Sequence, residues 1–215
     1  MLPYQRSTDA NCSRFTDPTT IGPDQYFSIS AFTVYPESRG HIHINGTGHK
    51  DAPDFNPGFF TDEGQVDVKK HLWSYKTQRE LARRMNNYRG EVAHVHPPFP
   101  PSSQAACVEL SEPLVNVTDI VYTAEDDAII EQWLRDHVGS TWHSLGTCKM
   151  AELSEGGVVD AKLAVHNVKN LKIADLSIVP VNVAGNTNSV ALAIGEKAAD
   201  IFKEELSGKS EKCSD

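Results

Sequence analysis

The sequence has 215 residues, a formal net charge of −9 at pH 7 and a sequence pI of about 5.4. A chain of this length can bury one sizeable core or one and a half small domains. An acidic chain without runs of Lys and Arg is a poor candidate for binding nucleic acid or anionic membranes, and no apolar run approaches the roughly 20 residues that span a bilayer. We therefore expect neither a nucleic-acid partner nor a membrane partner.

The N-terminal residues 1–24 are polar and contain several prolines, which predicts a loop or a truncated N-terminal end. They contain no apolar region of the kind found in a secretory signal. The four cysteines are widely spaced and form no C-x-x-C motif; they are Cys12, Cys107, Cys148 and Cys213. We interpret them as reduced thiols in an intracellular protein.

The next segment, 25–35, is rich in β-branched and aromatic residues and is predicted to be a strand. A turn at 36–40 and a second strand from His41 to Asn45 would complete a hairpin. The proline- and glycine-containing stretch 51–58 is interpreted as a loop.

The middle of the chain has the periodicity of helices. Residues 67–85 carry apolar side chains at helical spacing on one face: Val68, Leu72, Tyr75, Ala82 and Met85. Residues 114–122 alternate in part and favour a strand. Thr123 and Asp126 form a weak capping box for a second helix to about Val138, with an apolar stripe at Ile130, Trp133, Leu134 and Val138.

The C-terminal part is predicted to alternate short strands and turns before one long helix. Asp160, Asn167 and Asn170 break 158–180 into short strands. The last helix follows Asn188 and runs to Leu206. The charged tail 207–215 has the composition of a disordered segment.

Two histidine pairs raise the question of a metal site. In a strand, His41 with His43 and His94 with His96 would each lie on one face, and such a pair can begin a zinc site. Four prolines predict that 86–101 is irregular, so the alternative is that His94 and His96 line a loop. No third ligand follows at a recognisable spacing, so we predict no metal.

Two short stretches offer chemistry. Residues 140–150 place His143 between an aromatic residue and a glycine turn, and 181–189 form an Asn-rich loop that opens the last helix. A helix N-terminus exposes backbone N–H groups and adds positive potential. Together the stretches could surround one reacting group with a base, an amide and an anion-stabilising helix end.

The two stretches resemble sequence motifs of a known enzyme family. T-W-H-S-L-G-T-C-K-M at 141–150, then 157–180 and 185–200, resemble in this order three blocks of the glucose–methanol–choline (GMC) flavin oxidoreductases. Within the family, the three blocks resemble those of the fungal alcohol oxidase, or methanol oxidase, branch. That branch is also similar to this sequence at 38–44 and 66–84. The resemblance covers most of the chain, from about 25 to 206, and departs from the family in lacking its N-terminal flavin-binding half.

The resemblance implies an α+β fold. Residues 25–140 would form part of the substrate-binding domain, an antiparallel sheet backed by helices. Residues 141–206 would form a C-terminal segment that completes the flavin-binding domain and carries the active-site motifs. The implied cofactor is FAD, and the implied reaction oxidises a primary alcohol to an aldehyde with oxygen as acceptor.

The resemblance also implies roles for single residues. His143 would be the general base, since a neutral imidazole with an ordinary pKa of about 6.5 can take a hydroxyl proton. Asn186 would donate a hydrogen bond to the alkoxide oxygen, because an amide donates without being a competing base. Trp142 would contact the substrate. The residues implied to contact the cofactor are Asp175, Leu176, Gly185, Asn186, Thr187 and Asn188.

A dinucleotide cofactor also needs a glycine-rich strand–turn–helix. Gly46-Thr47-Gly48 lacks the third glycine, so we expect the chain alone to be inactive and to need the flavin-binding half as its partner. The alternative from another class is a non-catalytic fragment or a domain that binds a partner chain. We expect Val179, Val181, Val183 and Val190 to be exposed where that partner is missing.

The particular alcohol, the choice between oxidase and dehydrogenase, and a homo-oligomer of the full-length enzyme stay open. Peroxisomal location is implied by the family, although the last residues are not an S-K-L signal.

Overall fold

The computed structural model describes residues 26–208, which form two compact units. The first comprises 26–33 and 59–139; the second comprises 34–58 and 140–208. The predictions for residues 1–24, for most of the tail, and for Cys12 and Cys213 lie outside the described residues. Cys107 and Cys148 are free thiols.

Helices α1 (Val66–Arg83) and α2 (Ala124–His137) form the core of the first unit. Val68 of α1 packs with Phe60 and with Ile130 and Leu134 of α2, and all four are buried. The partly buried side chains against this cluster are Leu72, Tyr75, Phe99, Tyr122, Trp133 and Val138. The helical periodicity in the sequence therefore predicted both helices and most of the faces that they bury.

The ends of these helices are set by short-range hydrogen bonds. The Asp62 carboxylate accepts the N–H of Val66, and Asp67 adds negative charge to the first turn of α1, where the helix dipole favours it. At α2 the capping box is present: Thr123 Oγ1 accepts the Asp126 N–H at 3.1 Å, and Asp126 accepts the Thr123 N–H at 2.8 Å. The predicted capping box is confirmed.

The predicted strand at 114–122 is wrong, because side chains at the end of α1 bind its backbone. The Ile120 N–H donates to Glu80 at 2.9 Å, and the Thr118 carbonyl accepts from Arg83 at 3.0 Å. Asn116 has φ 57°, a left-handed conformation that no regular strand contains. These contacts replace a strand ladder with a loop held onto α1.

The second unit contains a two-stranded sheet, the one sheet found among residues 26–208. Strand β1 (His41–His43) pairs antiparallel with β2 (Asp54–Asn56), with Ile42 opposite Phe55. The prediction that 41–45 pairs with 25–35 is wrong. The prediction of a loop over 51–58 is wrong for Asp54–Asn56, which form β2. Residues 26–35 form no strand, since the part of the chain that is described offers them no partner backbone.

The core of the second unit lies under helix α3 (Asn188–Leu206). Its buried Ala198 packs with Val159, Leu163 and Ile178. Residues 158–173 form isolated bridges rather than strands, with Asn167 and Asn170 in left-handed turns at φ 63° and 58°. The predicted breaks at Asn167 and Asn170 are confirmed. The predicted short strands are not formed, because the turns leave only enough backbone for isolated bridges. The α+β fold class is confirmed. No helix among the described residues is long and apolar enough to cross a bilayer.

Candidate active site

The segment that follows His143 is held beside a 3₁₀ turn at Leu176–Ile178. The N–H groups of Gly146, Cys148 and Met150 donate in turn to the carbonyls of 176, 177 and 178, at 3.2, 2.8 and 2.7 Å. Gly146 has φ 85°, which a side chain would make unfavourable. Three successive main-chain bonds therefore fix the position of the histidine motif within the second unit.

The same 3₁₀ turn carries two predicted cofactor residues. Asp175 is exposed and its carboxylate accepts the Ser177 N–H at 2.8 Å. Hydrogen bonds from Ser177 hold the pKa of Asp175 below its ordinary value, so the carboxylate stays charged. Leu176 is half-buried and its carbonyl accepts from Gly146. The local role of both residues is to build the turn, and their contact with a cofactor stays a prediction.

Trp142 has an unusual backbone. Its φ is 59°, and its N–H donates to Ser140 Oγ at 2.9 Å. A bulky residue in this region costs on the order of 1–3 kcal/mol, and such strain clusters at functional sites. The Trp142 side chain is 79% exposed. The chain thus displays an aromatic surface directly before His143.

The His143 ring contacts the start of α3. Its Nδ1 lies 3.2 Å from Thr187 Oγ1, and Thr187 is only 3% exposed, whereas His143 is half-buried. The fold therefore joins the two motifs that the sequence separates. The contacting residue is Thr187, and the described residues show no hydrogen bond between His143 and Asn186. The pairing of His143 with Asn186 on one oxygen stays a prediction.

The loop before α3 leaves the helix N-terminus open. Thr187 is the N-cap residue but makes no side-chain cap, and Gly185, Asn186 and Asn188 are exposed. Asn188 is the first helical residue and not the cap. Among the described residues the N–H groups of Asn188, Ser189 and Val190 have no acceptor. An open N-terminus of this kind favours a negatively charged group.

The histidine pairs do not form a metal centre within the described residues, where no group of three His, Cys, Asp or Glu side chains is placed to hold an ion. The rings of His41 and His43 stack with centroids 5.1 Å apart, as expected for one strand face. His94 and His96 lie in the irregular segment that the prolines predicted: Ala93–Val95 is a 3₁₀ turn, and His96 bonds to Tyr75 at 3.0 Å. The absence of a metal stays a prediction.

Sequence reasoning missed the direct contact of Thr187 with His143. A threonine at a helix start reads as an ordinary N-cap, so its bond to a residue 44 positions away leaves no local signal. It also missed the buried ion pair of Arg79 and Glu91 in the first unit, where the two charges are 12 residues apart.

Comparison with known proteins places the chain in a family. A family model described as GMC oxidoreductase matches residues 36–195. The chain is 38% identical over 237 residues to alcohol oxidase 1 of Komagataella phaffii, which covers 89% of this chain and 35% of that protein. It is 39% identical over 238 residues to the alcohol oxidase of Candida boidinii, covering 89% and 36%.

Among solved structures, an FAD-dependent oxidoreductase from Chaetomium thermophilum superposes with a TM-score of 0.57 and 26% identity, over 81% of this chain and 26% of that one. The chain thus spans about a third of the length of the curated relatives that it matches. The family match extends across both motifs that meet at His143 and Thr187. The chain belongs to the GMC oxidoreductase family.

Proposed function

We propose that the chain is the C-terminal portion of an FAD-dependent enzyme that oxidises a primary alcohol to an aldehyde, with oxygen as acceptor and hydrogen peroxide as the second product. The observation that carries the proposal is the half-buried His143, held by Thr187 beside the open N-terminus of α3. The similarity to fungal alcohol oxidases supports the choice of reaction.

The residues present fit one edge of a flavin. The exposed loop 184–186 and the N–H groups at the start of α3 form a surface that suits a group carrying negative charge. Gly185, Asn186, Thr187 and Asn188 would hold that edge, with Asp175 and Leu176 nearby along the chain. When bound, FAD supplies the acceptor for the hydride that leaves the alcohol carbon. The phosphate cradle would come from the flavin-binding portion, which is the partner that the proposal requires.

The chain's own residues would handle the proton. His143 takes the hydroxyl proton of the alcohol at Nε2, since its Nδ1 already faces Thr187. Asn186 donates its amide N–H to the developing alkoxide oxygen, and the exposed indole of Trp142 contacts the substrate. Loss of the proton makes the alcohol carbon a better hydride donor, which is the chemical reason for placing a base here.

A chimera tests the proposal. The flavin-binding portion of Komagataella phaffii alcohol oxidase 1 is joined to this chain in place of the matched segment, and flavin reduction by a primary alcohol is followed under anaerobic conditions. We expect reduction, and we expect His143→Gln to slow it by roughly 10²–10⁴-fold, the usual share of a general base. His94→Gln is the matched control, because His94 is exposed and lies in the other unit.

Unchanged reduction in the His143→Gln chimera at saturating alcohol would exclude His143 as the base. Peroxide formation after oxygen is admitted distinguishes an oxidase from a dehydrogenase. If a correctly folded chimera binds FAD but none of the alcohols tested reduces the flavin, the alternative is favoured: a non-catalytic domain that binds a partner chain. An intracellular location, with the peroxisome as its candidate compartment, and homo-oligomerisation of the full-length enzyme belong to the same proposal.

A further inference from the structure

One tertiary hydrogen bond connects the histidine motif to the last helix. His143 Nδ1 and Thr187 Oγ1 are 3.2 Å apart, and the two residues are 44 positions apart in the chain. Thr187 is 3% exposed, so its hydroxyl lies in the interior of the second unit. A buried hydroxyl that lacked a partner would lose the hydrogen bonds that it makes with water, so this contact constrains the His143 ring.

The hydroxyl of Thr187 does not serve its own helix. A threonine at the N-cap usually accepts a hydrogen bond from an N–H of the first turn. Thr187 instead has φ −83° and ψ −6° and makes no side-chain cap, while its carbonyl accepts the Ala191 N–H at 2.9 Å. Within the described residues its hydroxyl bonds only to His143. Helix capping therefore does not explain this side chain, whereas contact with the imidazole does.

The engaged nitrogen determines what the other nitrogen can do. In a neutral imidazole one nitrogen carries the proton and the other accepts, and the partner at Nδ1 selects between these states. The part of the chain that is described gives His143 no other hydrogen bond. With Nδ1 facing Thr187, Nε2 is the nitrogen that remains for a ligand.

We propose that Thr187 is a positioning residue, whose hydroxyl fixes the ring orientation and the tautomer of His143 so that Nε2 is presented to the substrate. This inference rests on the proposed function for the identity of that substrate. A base at Nε2 requires the proton on Nδ1, so that Nδ1–H donates a hydrogen bond to Thr187 Oγ1. The opposite tautomer would make Nε2 a hydrogen-bond donor.

The first test measures the tautomer directly. The whole 215-residue chain is labelled with ¹⁵N-histidine, and the Nδ1 and Nε2 resonances of the neutral His143 ring are recorded in the unchanged chain, in Thr187→Val and in Thr187→Ser. We expect one tautomer to dominate in the unchanged chain and in the serine variant, and a mixture in the valine variant. Thr77→Val is the matched control, since within residues 26–208 the Thr77 hydroxyl bonds only to the Trp73 carbonyl on α1.

Valine is nearly isosteric with threonine, and α3 does not use the hydroxyl as a cap, so the variant is designed to preserve the fold. Equal tautomer populations in the unchanged chain and in folded Thr187→Val would overturn the proposal. A second measurement needs no substitution: a nuclear Overhauser contact between the Thr187 methyl and the His143 ring is expected. Its absence would also overturn the proposal.

The flavin chimera supplies a kinetic test. We expect Thr187→Val to slow flavin reduction by about a hundredfold with little change in KM, the effect of misplacing a catalytic group by about 1 Å, and Thr187→Ser to restore the rate. Reduction at the unchanged rate in Thr187→Val would overturn the positioning role.

The two proposals can fail separately. A dominant Nε2–H tautomer that is lost in Thr187→Val would support the positioning role and exclude His143 as a base through Nε2. A dominant Nδ1–H tautomer that is lost in the same variant would support both. The tautomer measurement does not depend on flavin or on activity, so an inactive chimera leaves the test of Thr187 intact.

Discussion

At the scale of single residues, the first unit contains a buried ion pair. Arg79 Nε donates to Glu91 Oε1 at 2.8 Å, and the two side chains are 3% and 5% exposed. Arg79 also donates to the carbonyls of Ala105 and Ala106, and the Val108 N–H donates to Glu91. Because every charged group has hydrogen-bond partners, the pair can be accommodated away from water.

Removing one member of this pair should be strongly destabilising. In Glu91→Gln the Arg79 charge stays buried without its counter-charge, so we expect a loss of about 3–5 kcal/mol in the free energy of unfolding, measured by urea denaturation. Glu131→Gln is the matched control: it breaks a half-exposed pair with Arg135 on α2 and should cost less than about 1 kcal/mol. Equal losses in the two variants would contradict a specific role for the buried pair.

The same pair should make the first unit sensitive to acid. Burial opposes the ionisation of Glu91, but the hydrogen bond and charge of Arg79 outweigh it, so the pKa of Glu91 is lowered. A carboxylate with a lowered pKa stabilises the fold above its unfolded pKa of about 4.3, and this stabilisation is lost as the pH falls through the folded value. The stability difference between the parent chain and Glu91→Gln should therefore shrink below about pH 4.

At the scale of elements, helix starts are encoded locally where a side chain caps them. Helix α2 begins at a capping box in which Thr123 and Asp126 each satisfy an N–H of the other. Asp126 is 1% exposed and also accepts from Ser103 at 2.6 Å, so this cap ties α2 to the preceding loop. Helix α3, in contrast, begins at a threonine whose side chain bonds to His143.

The capping box of α2 gives a prediction for Thr123. Thr123→Ala removes a cap, and we expect it to lower the free energy of unfolding by about 1 kcal/mol. Thr118→Ala is the control, since Thr118 is exposed and its carbonyl is the group that accepts a hydrogen bond, from Arg83. A Thr123→Ala variant as stable as Thr118→Ala in urea would show that the capping box does not stabilise α2.

At the scale of the whole molecule, apolar side chains beside the candidate site face solvent. Trp142, Val181 and Leu192 are 79%, 69% and 66% exposed. Val179, which we expected to be exposed, is 8% exposed, because it lies at the end of the 3₁₀ turn that packs on the core of its unit. Val183 and Val190 are half-buried. Such surface is typical of a face that binds a partner.

We expect the chain alone to retain no FAD and to oxidise no alcohol, because it contains no glycine-rich phosphate cradle. The measurement is the flavin absorbance of the purified chain after incubation with FAD and gel filtration. The chimera with the flavin-binding portion of the Komagataella phaffii enzyme is the positive control. Flavin near one per chain in the isolated protein would contradict the prediction.

Local patterns in the sequence determined the helices, several turns and the candidate residues. The apolar period predicted α1 and α2, Thr123 and Asp126 predicted a cap, and Asn167 and Asn170 predicted breaks. These features depend on neighbours within a few positions, so the sequence displays them directly. The motif around His143 likewise singled out the candidate site and indicated the family.

Tertiary structure decided what depends on distant partners. Residues 26–35 have strand-like composition but form no strand, whereas Asp54–Asn56 has little β-propensity and pairs with His41–His43. Pairing of this kind is set by which backbone lies alongside, and composition does not specify it. The bond between His143 and Thr187 has the same origin: two residues 44 positions apart meet only because the segment between them folds back and packs on α3.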